Sequence, residues 1–367
     1  MEYSLLKEIN KKNLQAYLNE RVFEKLYWPT FFPLKSTPFL TYETLIGSKG
    51  NRVAADVVAY DVSAPLKTRR TVSKLAGDIP SIRMKKKMTE NDLNTYNILK
   101  AQASPDQQAI LDLVFNDVDD VVDGVNARME WLVFQALSKG SVSLSRTTNA
   151  GGVVTEEAID FQLPDDNKKT ASVVWTASVS TTKPITDIET VMSAAGDLGL
   201  KPRYILMNRS KWVEFRASDE TKDFVAPYAL YGGTRKKRAP SLAVANEALE
   251  SEGLPIIVLI DTRISYEDVN HTIVSVDPWL DASGADRYVT FLEDLKCGDM
   301  LYGPIAEETN PPKQVTQAKK GNILVSKWSD VDPVAEYTKG ESNVFPSWPT
   351  VDRALILDTE HTTTWGA

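Results

Sequence analysis

The stretch SPDQQAILDLVFNDVDDVVDGVNARMEWLVFQALSKG, residues 104–140, decides how this chain is read. Ser104 suits an N-cap, Pro105 the first helical position, and Gln107 the third position of a capping box. Apolar residues then recur at Ile110, Val114, Val118, Val121, Val125, Met129, Leu132 and Ala136. Steps of four and three average close to the helical period, so the pattern predicts an uninterrupted helix over 104–139 with one apolar stripe. Asp112, Asp117, Asp119, Asp120, Asp123, Asn126 and Glu130 are expected on the opposite side, with Gly140 at the C-terminal cap. At about 1.5 Å per residue the helix is roughly 50 Å long, more than a compact enzyme domain usually needs. It reads as a spine, with Val114, Val118, Val121, Val125, Met129 and Leu132 as its core-facing residues.

Upstream, residues 1–50 read as an arm. Leu5, Ile9, Leu14, Leu18 and Phe23 predict a loosely amphipathic helix over 4–27 that ends at Trp28-Pro29, and Phe31-Phe32-Pro33 predicts an extended path after it. Strands are predicted over 40–45 and 53–60. Residues 51–88 then change character. From residue 61 onward Lys67, Arg69, Arg70, Lys74, Arg83, Lys85, Lys86 and Lys87 are opposed only by Asp61 and Asp78, and the apolar residues alternate rather than cluster. The segment is expected to be a long two-stranded excursion without a core of its own, resting on a neighbour. Three roles fit its charge. Nucleic-acid binding lacks interleaved aromatics for base stacking; a solvated loop needs no partner; contact with an acidic surface of another subunit is supplied by the net charge of −8. The third is the reading adopted.

Downstream, Thr89 and Asp92 form a predicted capping box for a short helix carrying Leu93, Tyr96 and Leu99. After the spine, strands are predicted over 141–145 and 153–163 with a turn at 149–152. Thr186 and Glu189 resemble a second capping box, opening a helix with Ile188, Val191, Met192, Ala195 and Leu198 inward and Gly199 at its end. Further helices are expected around 211–215, 222–231 and 242–250, and strands at 204–207, 255–260, 272–276, 288–292, 323–326 and 354–357. The order is α+β without a clean βαβ alternation, and no internal repeat is visible.

Composition bounds the chemistry. The 367 residues are 42% hydrophobic and 25% charged, enough for two or three sub-cores. The lone Cys297 excludes an intramolecular disulfide framework and a cysteine-rich metal site. His271 and His361 have no partner at ligand spacing, which argues against a zinc site or a histidine-dependent triad. There is no Gly-rich phosphate loop or dinucleotide fingerprint, no apolar run of membrane-spanning length, and no signal peptide. The chain is expected to be soluble and made in a cytoplasm. One motif stands out: Asp119-Asp120-Val121-Val122-Asp123 matches the magnesium–diphosphate motif of isoprenyl synthases. The second such motif and the all-helical fold of that family are missing, so a solvated acidic face is expected, with a magnesium-dependent enzyme as the rival reading. Asp330 and Asp332 before Pro333 predict a turn, and Arg235-Lys236-Lys237-Arg238 an exposed loop. No catalytic residue, cofactor or metal ligand is assigned.

The order of parts (arm, two-stranded basic loop, spine helix, mixed body) resembles that of tailed-phage (Caudoviricetes) major capsid proteins, and the lambda-type major capsid protein family resembles it most. Phe31-Phe32-Pro33 before a strand, Ile79-Pro80 through Lys85-Lys86-Lys87-Met88-Thr89 to Asp92-Leu93, Tyr302-Gly303-Pro304, and Ser326-Lys327-Trp328 through Asp332-Pro333 to Ser342 and Pro346 carry the resemblance. Near the end the family's Pro-Leu-Pro is here Phe345-Pro346-Ser347-Trp348-Pro349. The resemblance implies the Hong Kong-97-type capsid fold. Its parts would be an N-terminal arm (1–50), an extended loop (51–88), a peripheral domain with the spine (89–180), an axial domain (181–300), and C-terminal strands (301–367) completing the peripheral domain. It further implies a structural protein without catalysis, self-assembling into an icosahedral head shell around phage double-stranded DNA. Implied partners are other copies in pentamers and hexamers, separately encoded scaffold and portal proteins, an optional decoration protein, and DNA by non-specific contact; no membrane is involved. The implied location is the virion, after assembly in the bacterial host cytoplasm. An encapsulin-like cellular compartment shares the fold and is the further alternative.

Overall fold

The computed structural model describes residues 6, 10–23, 26–47, 73–102, 107–144, 149, 157–228, 238–267, 270–280 and 284–365. The predicted strand over 53–60, the Ser104-Pro105 cap, most of the turn at 149–152 and Arg235, Lys236 and Lys237 lie outside the described residues, as do Lys67, Arg69 and Arg70. The chain divides into two compact units. One comprises Met1–Tyr42, Ala76–Leu132 and Asp299–Ser347; the other Glu43–Leu75, Val133–Gly298 and Trp348–Ala367.

In the first unit the strand Val334–Ser347 is the hub of a six-stranded sheet. It pairs antiparallel with Ile323–Val331, with Ser81–Met88 and, through residues 344–347, with Asp299–Tyr302. Thr316–Lys320 extends one side and Leu34–Ser36, parallel to Asp299–Tyr302, the other. The expected turn is present: Asp332-Pro333 joins the two long strands. Ser81–Met88 corrects the reading of 51–88 as one excursion. Its alternation puts Ile82, Met84, Lys86 and Met88 on one face, so the strand joins the sheet rather than a free loop. Ser73–Asp78 pairs with Thr41–Ile46 in a separate ribbon.

The spine runs from Gln107 to Lys139 as one helix of 33 residues, and all eight stripe residues are buried. Gly140 closes it at φ +71°, where a side chain would be strained. Toward its C-terminal end the expected polar side disappears, because Trp131, Val133, Phe134 and Leu137 are buried as well. Glu130, expected outside, is 0% exposed. Its carboxylate accepts from the Tyr27 and Trp28 amides at 3.1 and 2.8 Å. Those are orphan donors at the start of a one-turn helix, Trp28–Phe31, after which the expected extended path follows as the strand Leu34–Ser36. The spine also meets the sheet closely. A Cβ on Gly340 would lie 2.8 Å from the Val121 carbonyl oxygen, and Met84 packs on Gly124.

The described part of the arm docks on the spine and sheet of its own unit. Asn10 caps the helix Lys11–Glu20 through the Asn13 amide. Tyr17 stacks on Phe115 with ring centroids 4.1 Å apart. The Gln15 side-chain amide donates to the Lys319 carbonyl at 2.9 Å and accepts from its N–H at 3.0 Å, as another strand would. The Thr89–Asp92 box forms as expected and opens the helix Glu90–Ala101, and its hydrogen bonds from Thr89 hold the exposed Asp92 carboxyl below its usual range.

The second unit is built on a five-stranded sheet ordered Lys168–Thr170, Leu355–Asp358, Tyr288–Leu292, Tyr204–Asn208 and Ile256–Ile260. Helices Pro184–Asp197, Arg209–Ala217, Asp219–Val225 and Leu242–Ser251 supply the rest of a core that includes Trp175, Ile188, Val191, Trp212, Phe215, Leu249 and Phe291. Leu355–Asp358 corrects the expectation that 301–367 completes the domain of the spine. It lies antiparallel to Tyr288–Leu292 and parallel to Lys168–Thr170, so the chain end belongs to this unit, as do residues 133–180. The Thr186–Glu189 box is also corrected: Pro184 opens that helix, and Glu220 accepts the Ile185 and Thr186 amides at 2.9 and 3.3 Å.

Gly340→Ala places a methyl against spine backbone that cannot yield and is expected to destabilise by about 1–3 kcal/mol. Gly196→Ala, in a helix with nothing within 4 Å of the added carbon, is expected to stabilise by up to about 1 kcal/mol. Thermal melts of the two variants should move in opposite directions.

Candidate assembly surface

The sheet of the first unit has one face on the spine. On the other, Arg83, Lys85 and Lys87 are exposed, and register sets them opposite Glu341, Lys339 and Tyr337. The Lys85–Lys339 juxtaposition is unfavourable by itself and is resolved on both sides. Lys339 turns to Glu341 at 2.8 Å and to Glu307. Lys85 sits over the Tyr337 ring, 4.7 Å from its centroid, and Tyr337 stacks on Trp328. Arg83 Nε and Nη2 both reach Glu341 Oε1, at 2.8 and 2.7 Å, and Glu341 is only 3% exposed.

Of the basic residues singled out by sequence, Arg83, Lys74 and Lys86 thus find carboxylates in their own chain. Lys74 pairs with Glu43 at 2.6 Å and Lys86 with Asp120 at 3.1 Å. Lys85 and Lys87 are the described members of the group that present charge outward without an ion pair. The aspartates of the spine likewise face separate partners. Asp119 accepts from the Tyr17 hydroxyl at 2.8 Å and from Arg21 at 2.9 Å, whereas Asp120 takes Lys86. Burial and the Asp119 carboxylate push the Tyr17 hydroxyl up to about 12. Among the described residues no group of three or more His, Cys, Asp or Glu is placed to hold a metal ion. The turn at Asp332-Pro333 carries exposed apolar side chains, with Val331 88% exposed and Val334 40%.

Two buried cations escaped sequence reasoning, Lys211, which pairs with Glu214 and Glu360, and Lys327. Lys327 is 0% exposed and donates to the Val114 carbonyl at 3.0 Å. Burial lowers its pKa, opposed by Glu336 and Asp117, while burial raises that of Asp117. The signal was present, since alternation along Ile323–Val331 puts residues 323, 325 and 327 on one face.

A family model described as phage major capsid protein E matches residues 12–357 of the chain. The chain belongs to that family. As a phage major capsid protein it has the Hong Kong-97-type capsid fold, with an arm, a spine helix and a mixed α+β body. Two solved structures share the fold. A candidate capsid protein of an E. coli CFT073 prophage aligns over 95% of this chain and 99% of its own, at 16% identity and a TM-score of 0.57. A phage-related protein from Bordetella bronchiseptica RB50 aligns over 96% and 98%, at 14% identity and a TM-score of 0.54. No curated protein matches the capsid protein in sequence. Membership carries a structural role: copies of the chain build the icosahedral capsid of a phage, and the virion is where it resides. No helix among the described residues is long and apolar enough to cross a membrane.

Lys327→Met removes the cation facing Glu336 and Asp117 and is expected to destabilise by about 3 kcal/mol. Calorimetry of the single variant and of Lys327→Met/Glu336→Gln checks this, with the double variant recovering part of the loss.

Proposed function

We propose that the protein assembles as pentamers and hexamers of a phage head, the first unit serving as the peripheral domain and the second as the axial domain. Residues 51–72 carry Lys67, Arg69 and Arg70 onto an acidic surface of an adjacent copy. Separately encoded scaffold and portal proteins guide closure in the bacterial cytoplasm, an optional decoration protein adds to the finished shell, and packaged double-stranded DNA is held by non-specific contact. The subunit performs no catalysis in this role. The observation that carries the reading is the charge of the sheet face: Lys85 and Lys87 have no ion pair among the described residues of a chain whose net charge is −8. A basic strip on an acidic body favours contact between copies, because each copy offers what the next one lacks.

The test replaces residues 52–71 by a short Gly-Ser linker, leaving Ser73–Asp78 and Ser81–Met88 in place. The variant is expected to melt within a few degrees of wild type yet give no closed shells by negative-stain electron microscopy and sedimentation. Closed shells at the wild-type yield would overturn the assignment.

A further inference from the structure

At one end of the five-stranded sheet, the entry to Tyr204–Asn208, the exit of Tyr288–Leu292 and the entry to Leu355–Asp358 meet around a cleft of about 460 Å³. Three segments each bring cations to it: Lys201 and Arg203, Lys296, and Arg353. Two acids also line it, but Glu293 is occupied as a clamp. Its Oε1 accepts the Lys201 backbone amide at 2.8 Å and its Oε2 the Arg353 guanidinium at 3.3 Å. Asp294 accepts the Lys296 backbone amide at 3.3 Å. The backbone of Arg203 is fixed as well, donating to the Leu292 carbonyl at 2.8 Å while its carbonyl accepts from Ile256. The segments are therefore held in place by their own hydrogen bonds, and the exposed Lys201 and Arg203 side chains make no ion pair among the described residues.

We infer that this cleft binds a phosphate group. Lys201, Arg203, Lys296 and Arg353 bring four positive charges against the two of Glu293 and Asp294, so Lys201 and Arg203 are left for a ligand, and a phosphate offers oxygens on every side. Guanidinium groups match that geometry with parallel N–H donors. Glu293 and Asp294 offset two of the four charges and leave a net positive cleft. The phosphate comes either from a small free phosphate compound or from the backbone of nucleic acid enclosed by the shell, and both share this chemistry. The inference stands on the cleft alone and does not depend on the role given to the basic loop.

The test titrates the full-length chain with sodium pyrophosphate at low ionic strength by isothermal calorimetry. Wild type is expected to bind at one site per chain, and Lys201→Ala/Arg203→Ala to lose at least tenfold in affinity. Lys11→Ala/Lys12→Ala, matched in charge and exposed on the arm helix, is expected to leave binding unchanged, with equal thermal melts for all three proteins. A short DNA duplex is then added as competitor. Displacement of pyrophosphate identifies backbone phosphate as the source, and persistence of pyrophosphate identifies a free compound. Absence of binding to wild type, or equal affinity in wild type and the Lys201→Ala/Arg203→Ala variant, would overturn the inference.

Discussion

The close approach of spine to sheet at Gly340 and Val121 constrains the rest of the first unit. A helix can lie this near a strand only where the strand offers no side chain, and Gly340 supplies that point. The positions on either side facing the same way, Thr338 and Ser342, are small and fully buried. The helix reciprocates with Gly124, which receives Met84 from the neighbouring strand. Buried polarity follows from this fit. Thr338, Ser342, Lys327 and Glu336 are enclosed between layers that an apolar filling would push apart, and Lys327 finds a spine carbonyl to satisfy it.

A chain that assembles must also refuse wrong contacts, and its sheet edges show how. In the first unit the edge strand Thr316–Lys320 is covered by the arm, with the Gln15 amide occupying the N–H and C=O of Lys319. In the second unit the edge strand Ile256–Ile260 meets the same device. Asn246 donates to the Ile257 carbonyl at 3.0 Å and accepts from its N–H at 2.8 Å. A side-chain amide is a peptide group in miniature, so each blocks the template on which a foreign strand would add. The strand Ser81–Met88 is guarded by charge instead, through its lysines. Contacts between copies are thereby left to side chains of defined charge and shape rather than to open backbone.

Much of this was legible in sequence, and the failures have physical causes. The spine stripe, the Thr89–Asp92 box and most strands of the second unit were visible because period and capping are local properties. The hub strand Val334–Ser347 was not foreseen. Its middle reads Lys339-Gly340-Glu341-Ser342-Asn343, a turn-like composition that becomes a central strand only because the spine demands small residues there. Glu130 was misplaced because three-dimensional partners, two orphan amides near Trp28, pull a carboxylate inward against helical periodicity. Glu220 displaced Glu189 as a helix cap for the same reason, being distant in sequence but adjacent in space. Of the phosphate cleft nothing was visible, since its cations come from three separated segments and form no motif.

If the Gly340 contact governs the first unit, spine and hub strand form one cooperative block in the subunit before it meets other copies. Native-state hydrogen exchange with mass spectrometry on the unassembled chain measures this directly. Amides of residues 118–132 and 338–343 are predicted to exchange together, more slowly than those of the helix Glu90–Ala101. Release of the 338–343 amides while 118–132 remain protected would contradict it, because the strand would then be separable from the helix that shapes it.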